Sequence, residues 1–298
     1  MKWTPRLAAP AAELTVVHQP SVLDRLPAPA LVLIAVFGFQ LSSVIAKPAI
    51  QDAGPVHTAF LRALFGAIVL LAWRRPRLPL ERREWLLVLG AGVTMLINTL
   101  VMYAAFERIP VGIAVAIGFW GPMTLALLGS HRALDVLWVS LAIGGILLFT
   151  PLADASFDSL GVLYAVIAGA GFGATLVFSS RLGRAIGGVP AAGLAMVVAT
   201  IGLAPISIGT GLHNELTSAF VTRMLVVGVV MSVFGFAVEY TALTRIRPSL
   251  YAVLISLEPA VGAILGFLIL SETVGWIGIA GIAAVTSASL GASRSNRG

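Results

Sequence analysis

Apolar residues in this chain gather in runs of about 17–24, separated by short polar breaks, and a helix needs about 20 residues to cross the hydrocarbon core of a bilayer. Ten such runs fall at roughly 30–50, 56–73, 85–106, 111–130, 136–152, 160–180, 189–212, 223–243, 249–270 and 274–291. They lack the every-second-residue alternation of a transmembrane barrel, so the pattern predicts an all-α polytopic membrane protein with ten transmembrane helices. Composition agrees: 11% of the 298 residues are charged, against about 25% in soluble domains.

Charge sets the topology. Fifteen of the 19 Lys and Arg residues lie on one side of the ten spans, concentrated in the segment from Arg74 to Arg83. Lys47, Arg108 and Arg223 lie on the other, and Arg62 is left within a span. The positive-inside rule then puts both termini in the cytoplasm, in a bacterial-type inner membrane. Trp73, Trp85, Trp138 and Trp276 fall at span ends, where an amphipathic ring favours the interface, while Trp120 sits mid-span. The net charge of +6 is thus explained by topology, and no nucleic-acid partner is expected. Residues 1–29 hold five prolines and no long apolar core, which predicts a flexible cytoplasmic segment, not a cleaved signal; residues 292–298 form a cytoplasmic tail.

A repeat runs through the chain. At an offset of 137 positions Tyr103 meets Tyr240, Arg108 meets Arg245, Ile109 meets Ile246 and Pro122 meets Pro259. Ser42 and Ser43 meet Ser179 and Ser180 at the same offset. Five spans separate equivalent positions, and five is odd, so the two halves, 30–152 and 160–291, are expected to be inverted repeats. Inverted repeats with proline-interrupted helices point to alternating-access transport with a site at the repeat interface. Pro122 and Pro259 leave the carbonyls of Gly118 and Ile255 without helical donors at mid-membrane depth.

Glu258, beside Pro259, carries the strongest chemical signal, because a charge at the centre of a span costs about 2.5–3.5 kcal/mol on insertion scales. Its expected role is proton carrier or counter-ion to a substrate ammonium. Gln40, Asn98, Trp120 and Thr175 fall at comparable depth on spans 1, 3, 4 and 6 and fit one cavity wall, with Trp120 as a flat apolar surface; interhelical polar packing is the competing role. Arg62 lies roughly 10 Å inside the second span. It either snorkels to the interface or pairs with a carboxylate, of substrate or protein. Glu239 lies near the inner end of the eighth span, within reach of water. Lys47 and Pro48 close the first span, with Lys47 as an interfacial anchor. Gly169, Gly171 and Gly173 look like a nucleotide loop but lie within a span, where close helix packing is the better reading, as for Gly262 and Gly266. The chain has no Cys, its four His are not at metal spacing, and no nucleophile–base set occurs, so neither a metal, a cofactor nor an enzymatic activity is expected.

The strings IPVGIAVAIGFWGP (109–122), HRALDVLWVSLAIGGILLFTPL (131–152) and EYTALTRIRPSLYAVLISLEPAVGAILGFLILSETVG (239–275) resemble the threonine/homoserine exporter branch of the drug/metabolite transporter superfamily, built from EamA-type repeats. The likeness runs from about residue 30 to 291, and Arg62 with Gly66 fits the second helix of that branch. The resemblance implies a ten-helix fold, a central cavity lined by helices 1–4 and 6–9, and proton-driven export of small metabolites, with Glu258 and Glu239 as functional carboxylates. This chain departs from the branch at Gly118 and Trp120, where the branch has Glu and a small residue, a change that favours a larger or flatter substrate than threonine. Two readings remain open: export of amino acids or related zwitterions, and export of drugs or other hydrophobic metabolites. A channel or a membrane-embedded enzyme is a distant third. The expected partners are a small-molecule substrate, protons and lipid, with oligomeric state open.

Overall fold

The computed structural model describes residues 25–127, 141, 144, 158–246, 251 and 254–295, and among them every regular element is helical. Besides a single turn at Leu212–Glu215, the elements are α1 (Ala28–Ala53), α2 (Pro55–Trp73), α3 (Arg82–Arg108), α4 (Val111–Gly118), α5 (Trp120–Leu127), α6 (Ser159–Ile186), α7 (Gly188–Gly209), α8 (Ser218–Val230), a π-helical segment (Met231–Ala237), α9 (Val238–Leu243), α10 (Glu258–Leu270) and α11 (Trp276–Ser295). α1, α2, α3, α6, α7 and the continuous stretch Ser218–Leu243 are long and apolar enough to cross a bilayer. Val111–Thr124, Glu258–Leu270 and Trp276–Ala288 form shorter apolar helices. Large apolar side chains such as Phe37, Ile68, Leu86, Ile201, Phe267 and Leu268 face outward, as lipid contact requires. The chain is therefore a multi-pass membrane protein, all-helical among the described residues. Most of the expected span 136–152, most of the segment 1–29, and Trp138, His18 and His131 lie outside the described residues.

Both prolines of the repeat follow a break. A turn at Phe119 separates α4 from α5, and a turn at Ser256–Leu257 precedes α10. Each begins three residues before its proline, at the same offset of 137, because the ring removes the N–H that would continue the helical ladder. Pro48 acts differently: α1 runs through it to Ala53, so Lys47 does not end its helix.

The packing is paired. α3 lies along α6, and α1 lies along α8, the π segment and α9; α2 packs on α7, and α4 on α10. α5 packs on α6 as α10 packs on α1. Glycines make these approaches close. A Cβ on Gly112 would stand 2.6 Å from Cα of Ala263, and one on Gly121 would run into the backbone of Gly169. Gly66 sits against Ser232 and Met196, which lets α2 approach both α7 and the π segment.

The three cations expected on the outer side are all neutralised. Lys47 pairs with Glu272 at 2.6 Å, Arg108 with Asp158 at 2.7 Å and Arg223 with Asp52 at 3.4 Å. Asp158 also caps α6 by accepting from the N–H groups of Leu160 and Gly161. The Arg108 hydrogen bond, with these N–H donors, holds its carboxyl below the usual carboxylate range. Lys47 is buried and donates to the Ile109 carbonyl at 2.9 Å, so it is an internal tie and not the interfacial anchor expected from its place at a span end.

Candidate substrate and proton site

A cavity of about 100 Å³ lies where α1, α3, α4, α6, the π segment, α9 and α10 converge. Gln40, Asn98, Thr175, Glu239 and Glu258 all line it, together with Met95, Met102, Tyr103, Phe106 and Phe236. Five of the seven expected site residues thus share one wall, brought from five different helical elements.

Glu258 is the first residue of α10, so the turn that Pro259 requires places its carboxylate at the N-terminal, partially positive end of a half-helix. It is 4% exposed. Glu239 is equally buried and accepts a hydrogen bond from the Tyr251 hydroxyl. The expectation that Glu239 reaches cytoplasmic water is overturned: the π segment before it adds a residue to the turn and re-aims Phe236 and Glu239 into the cavity. The two carboxylates face one space.

Several polar atoms around this space have no partner. The amide oxygens of Gln40 and Asn98 and the Tyr103 hydroxyl are buried without hydrogen bonds. The Thr175 hydroxyl is satisfied by the Gly171 carbonyl of its own helix, so it adds little polarity.

Arg62 stands behind this wall and does not snorkel. It is 1% exposed, donates one bond of 2.7 Å to Thr99 Oγ1, and has its guanidinium carbon 5.5 Å from the Tyr103 ring centre and 5.9 Å from that of Phe236. Its Nε and one terminal nitrogen have no acceptor, and no carboxylate of the described residues pairs with it. Thr99, Tyr103 and Phe236 all line the cavity, so one layer of side chains links Arg62 to it.

Trp120 does not join them. Its indole N–H donates to the Val166 carbonyl at 2.8 Å, and its ring lies against Gly169 of α6. The break at Phe119 turns the residue after it away from the cavity, and the missing side chain at Gly169 leaves the slot that accepts the ring. The expected flat cavity wall is instead a helix–helix contact, and the glycines 169, 171 and 173 pack against Trp120, Gly121 and Asn98.

The sequence pattern does not mark Tyr103, Phe236 and Tyr251 as site residues. Tyr251 had no clean signal, since the break at Ser256–Leu257 falls within the seven residues that separate it from Glu258. Phe236 had none, because its direction depends on the π segment.

The EamA-like transporter family model matches residues 26–153 and again 159–294. The threonine/homoserine exporter RhtA of Salmonella typhimurium is 30% identical over 264 residues, covering 87% of this chain and 88% of its own length. The RhtA of Escherichia coli K12 is 28% identical, with 88% and 89% covered. An uncharacterized transporter of Bacillus subtilis, YwfM, is 27% identical, with 84% and 88% covered. A solved crystal structure aligns with a TM-score of 0.64 at 15% identity, over 88% of this chain and 95% of its own, which is a likeness of fold alone.

Proposed function

The chain belongs to the EamA-like transporter family, and from that premise we propose that it exports a small zwitterionic metabolite of the amino-acid type across the cytoplasmic membrane by proton-coupled alternating access. The observation that carries this reading is the division of charge around one cavity. Glu239 and Glu258 line it, while Arg62 lies behind Thr99 and Tyr103 with two nitrogens unpaired. An unpaired buried charge is costly, and a substrate carboxylate that displaces Tyr103 or Thr99 would relieve it. The substrate ammonium then falls to Glu258 or Glu239. Arg62, Gln40 and Asn98 come from the first half of the chain and both carboxylates from the second, so a bound zwitterion ties the halves together.

Size argues against the drug-exporter reading. Drug-sized ligands occupy pockets of about 300–1,000 Å³, whereas a cavity near 100 Å³ holds a few waters or one small organic molecule. Met95, Met102 and Phe106 favour an apolar or hydroxylated side chain of modest length. The orientation of Trp120 removes the reason to expect a flatter substrate. The similarity to the threonine/homoserine exporters of Salmonella and Escherichia points the same way.

The reading includes two inverted five-helix repeats, 30–152 and 160–291, in a ten-helix protein with both termini, residues 1–29 among them, in the cytoplasm. Support comes from the paired packing: α3 against α6 answers α1 against the Ser218–Leu243 stretch, and the breaks at Phe119 and Ser256 answer each other. Such pairing is what a two-fold axis in the membrane plane produces.

Counterflow in proteoliposomes tests the function. Saturable exchange of labelled threonine, homoserine or another neutral amino acid is expected, with neither the matching amine nor the matching carboxylic acid exchanged. Exchange confined to cationic or aromatic drugs would overturn it.

A further inference from the structure

A second cavity, of about 450 Å³, opens where the ends of α2, α6 and α9 meet the start of α7. Arg74, Arg77, Arg184 and Arg245 line it, and no acidic side chain does. Glu84 reaches Arg77 from outside at 3.6 Å, a long contact to a guanidinium that is 59% exposed. Arg74 and Arg184 have no carboxylate partner among the described residues. The contrast with the opposite end of the molecule is informative, because Lys47, Arg108 and Arg223 each have a carboxylate there. A positive-inside signal needs arginines somewhere in the loops; it does not need four of them around one concavity.

The backbone adds donors to the same space. α7 starts at Gly188 after Gly187, with no side-chain cap on its first N–H groups. Gly187 has φ of 92°, and a Cβ on Gly188 would stand 2.8 Å from the N of Thr241, so this close approach of α7 to α9 is open only to glycine. Arginine forks and uncapped helical N–H groups around one hollow match the tetrahedral oxygens of a phosphate. Depth is set by Trp73 and Trp85, which flank Arg74 and Glu84 in sequence and are 42% and 43% exposed, as rings at headgroup level are.

We propose that this cavity binds a phosphate group, supplied either by the headgroup of an anionic lipid in the cytoplasmic leaflet or by a soluble phosphate compound. The bound group bridges α2 and α6–α7–α9, elements from both halves of the chain, and holds this end closed. The inference is independent of what the central cavity carries.

The test uses the purified full-length protein in mild detergent, with thermal unfolding and native mass spectrometry as readouts. Phosphatidylglycerol should raise the melting temperature and be retained at least tenfold over phosphatidylcholine. Arg74→Gln/Arg184→Gln should lose that selectivity, whereas Arg75→Gln/Arg82→Gln, which changes two exposed cations outside the cavity, should keep it. Inorganic phosphate or glycerol 3-phosphate that stabilises wild type and displaces phosphatidylglycerol assigns a soluble source; no effect of either assigns the lipid. Equal selectivity in both double variants means the protein senses bulk surface charge, and the proposal fails. Should the first variant not fold, wild type alone decides, since no preference of wild type for phosphatidylglycerol or soluble phosphate overturns it.

Discussion

Lys47 and Glu272 close one end of the molecule through an ion pair and two hydrogen bonds. Nζ of Lys47 stands 2.6 Å from one Glu272 oxygen and 2.9 Å from the Ile109 carbonyl, and the other Glu272 oxygen accepts from the N–H of Val111 at 3.1 Å. The pair thereby joins α1, the α3–α4 corner and the turn after α10. Both side chains are largely buried, at 10% and 13% exposure, so removing one leaves the other charged and unpaired.

Glu272→Gln or Lys47→Met should each destabilise by about 3 kcal/mol, the lower end for breaking a buried pair. The charge-swapped double variant Lys47→Glu/Glu272→Lys should recover part of the loss. It will not recover all of it, because the bonds to Ile109 and Val111 depend on which residue is the donor. Unfolding of wild type, the two single variants and Lys47→Met/Glu272→Gln completes a double-mutant cycle that measures the coupling, and a coupling near zero would mean that the ion pair does not hold this end.

Arg62→Gln and Arg62→Lys should both reduce amino-acid exchange at least tenfold. The lysine variant keeps a charge but loses the planar fork that reaches Thr99 and still leaves two nitrogens to offer. Counterflow with a zwitterion and with its carboxamide separates the roles. If wild type carries both equally well, Arg62 does not receive a carboxylate.

Much of the site was legible in the sequence because membrane insertion makes polar residues costly, so Gln40, Asn98 and Glu258 stood out against apolar runs. The prolines and their offset located the helix breaks. What periodicity misses is the direction a side chain takes after such a break. Trp120 follows one and turns towards α6, while Glu239 follows the π segment and turns into the cavity, contrary to the reading of each from its place along a straight helix. Position along a span does not set the azimuth of a residue that follows a break.

For Trp120, the contact with Val166 and Gly169 predicts a structural cost and no change in substrate range. Trp120→Phe should lower the melting temperature through the lost 2.8 Å bond and the smaller ring, while the order of preference among amino acids stays as in wild type. A variant of normal stability with an altered preference would return Trp120 to the cavity wall.

Orientation is open to labelling, because the chain contains no native Cys. Leu78→Cys and Asn214→Cys place thiols at exposed positions on opposite sides of the expected topology. In intact cells an impermeant maleimide should modify the second and spare the first. The reverse pattern would put both termini outside.

The two carboxylates separate proton coupling from substrate binding. At the offset of the repeat, Glu258 corresponds to Gly121 and Glu239 to Met102, so each acid has a neutral counterpart in the other half. Gly121 is pressed against the Gly169 backbone and has no room for a side chain, whereas Glu258 opens on the cavity. Two acids lining one small space resist simultaneous ionisation, so the proposed cycle keeps a proton on one of them when no cation is present. An arriving ammonium favours the doubly ionised pair and releases that proton. Glu258→Gln and Glu239→Gln are therefore expected to differ. Glu239 keeps its Tyr251 bond and Glu258 has the half-helix N-terminus, so Glu258 is the better placed anion for an ammonium, and its loss should abolish exchange and uphill transport together. Glu239→Gln should keep downhill exchange within about tenfold of wild type while net export driven by a pH gradient disappears. Paired measurements of counterflow and gradient-driven export in the same proteoliposomes decide the assignment. If the two variants exchange their phenotypes, the roles are swapped; if both retain full gradient-driven export, neither acid carries the proton.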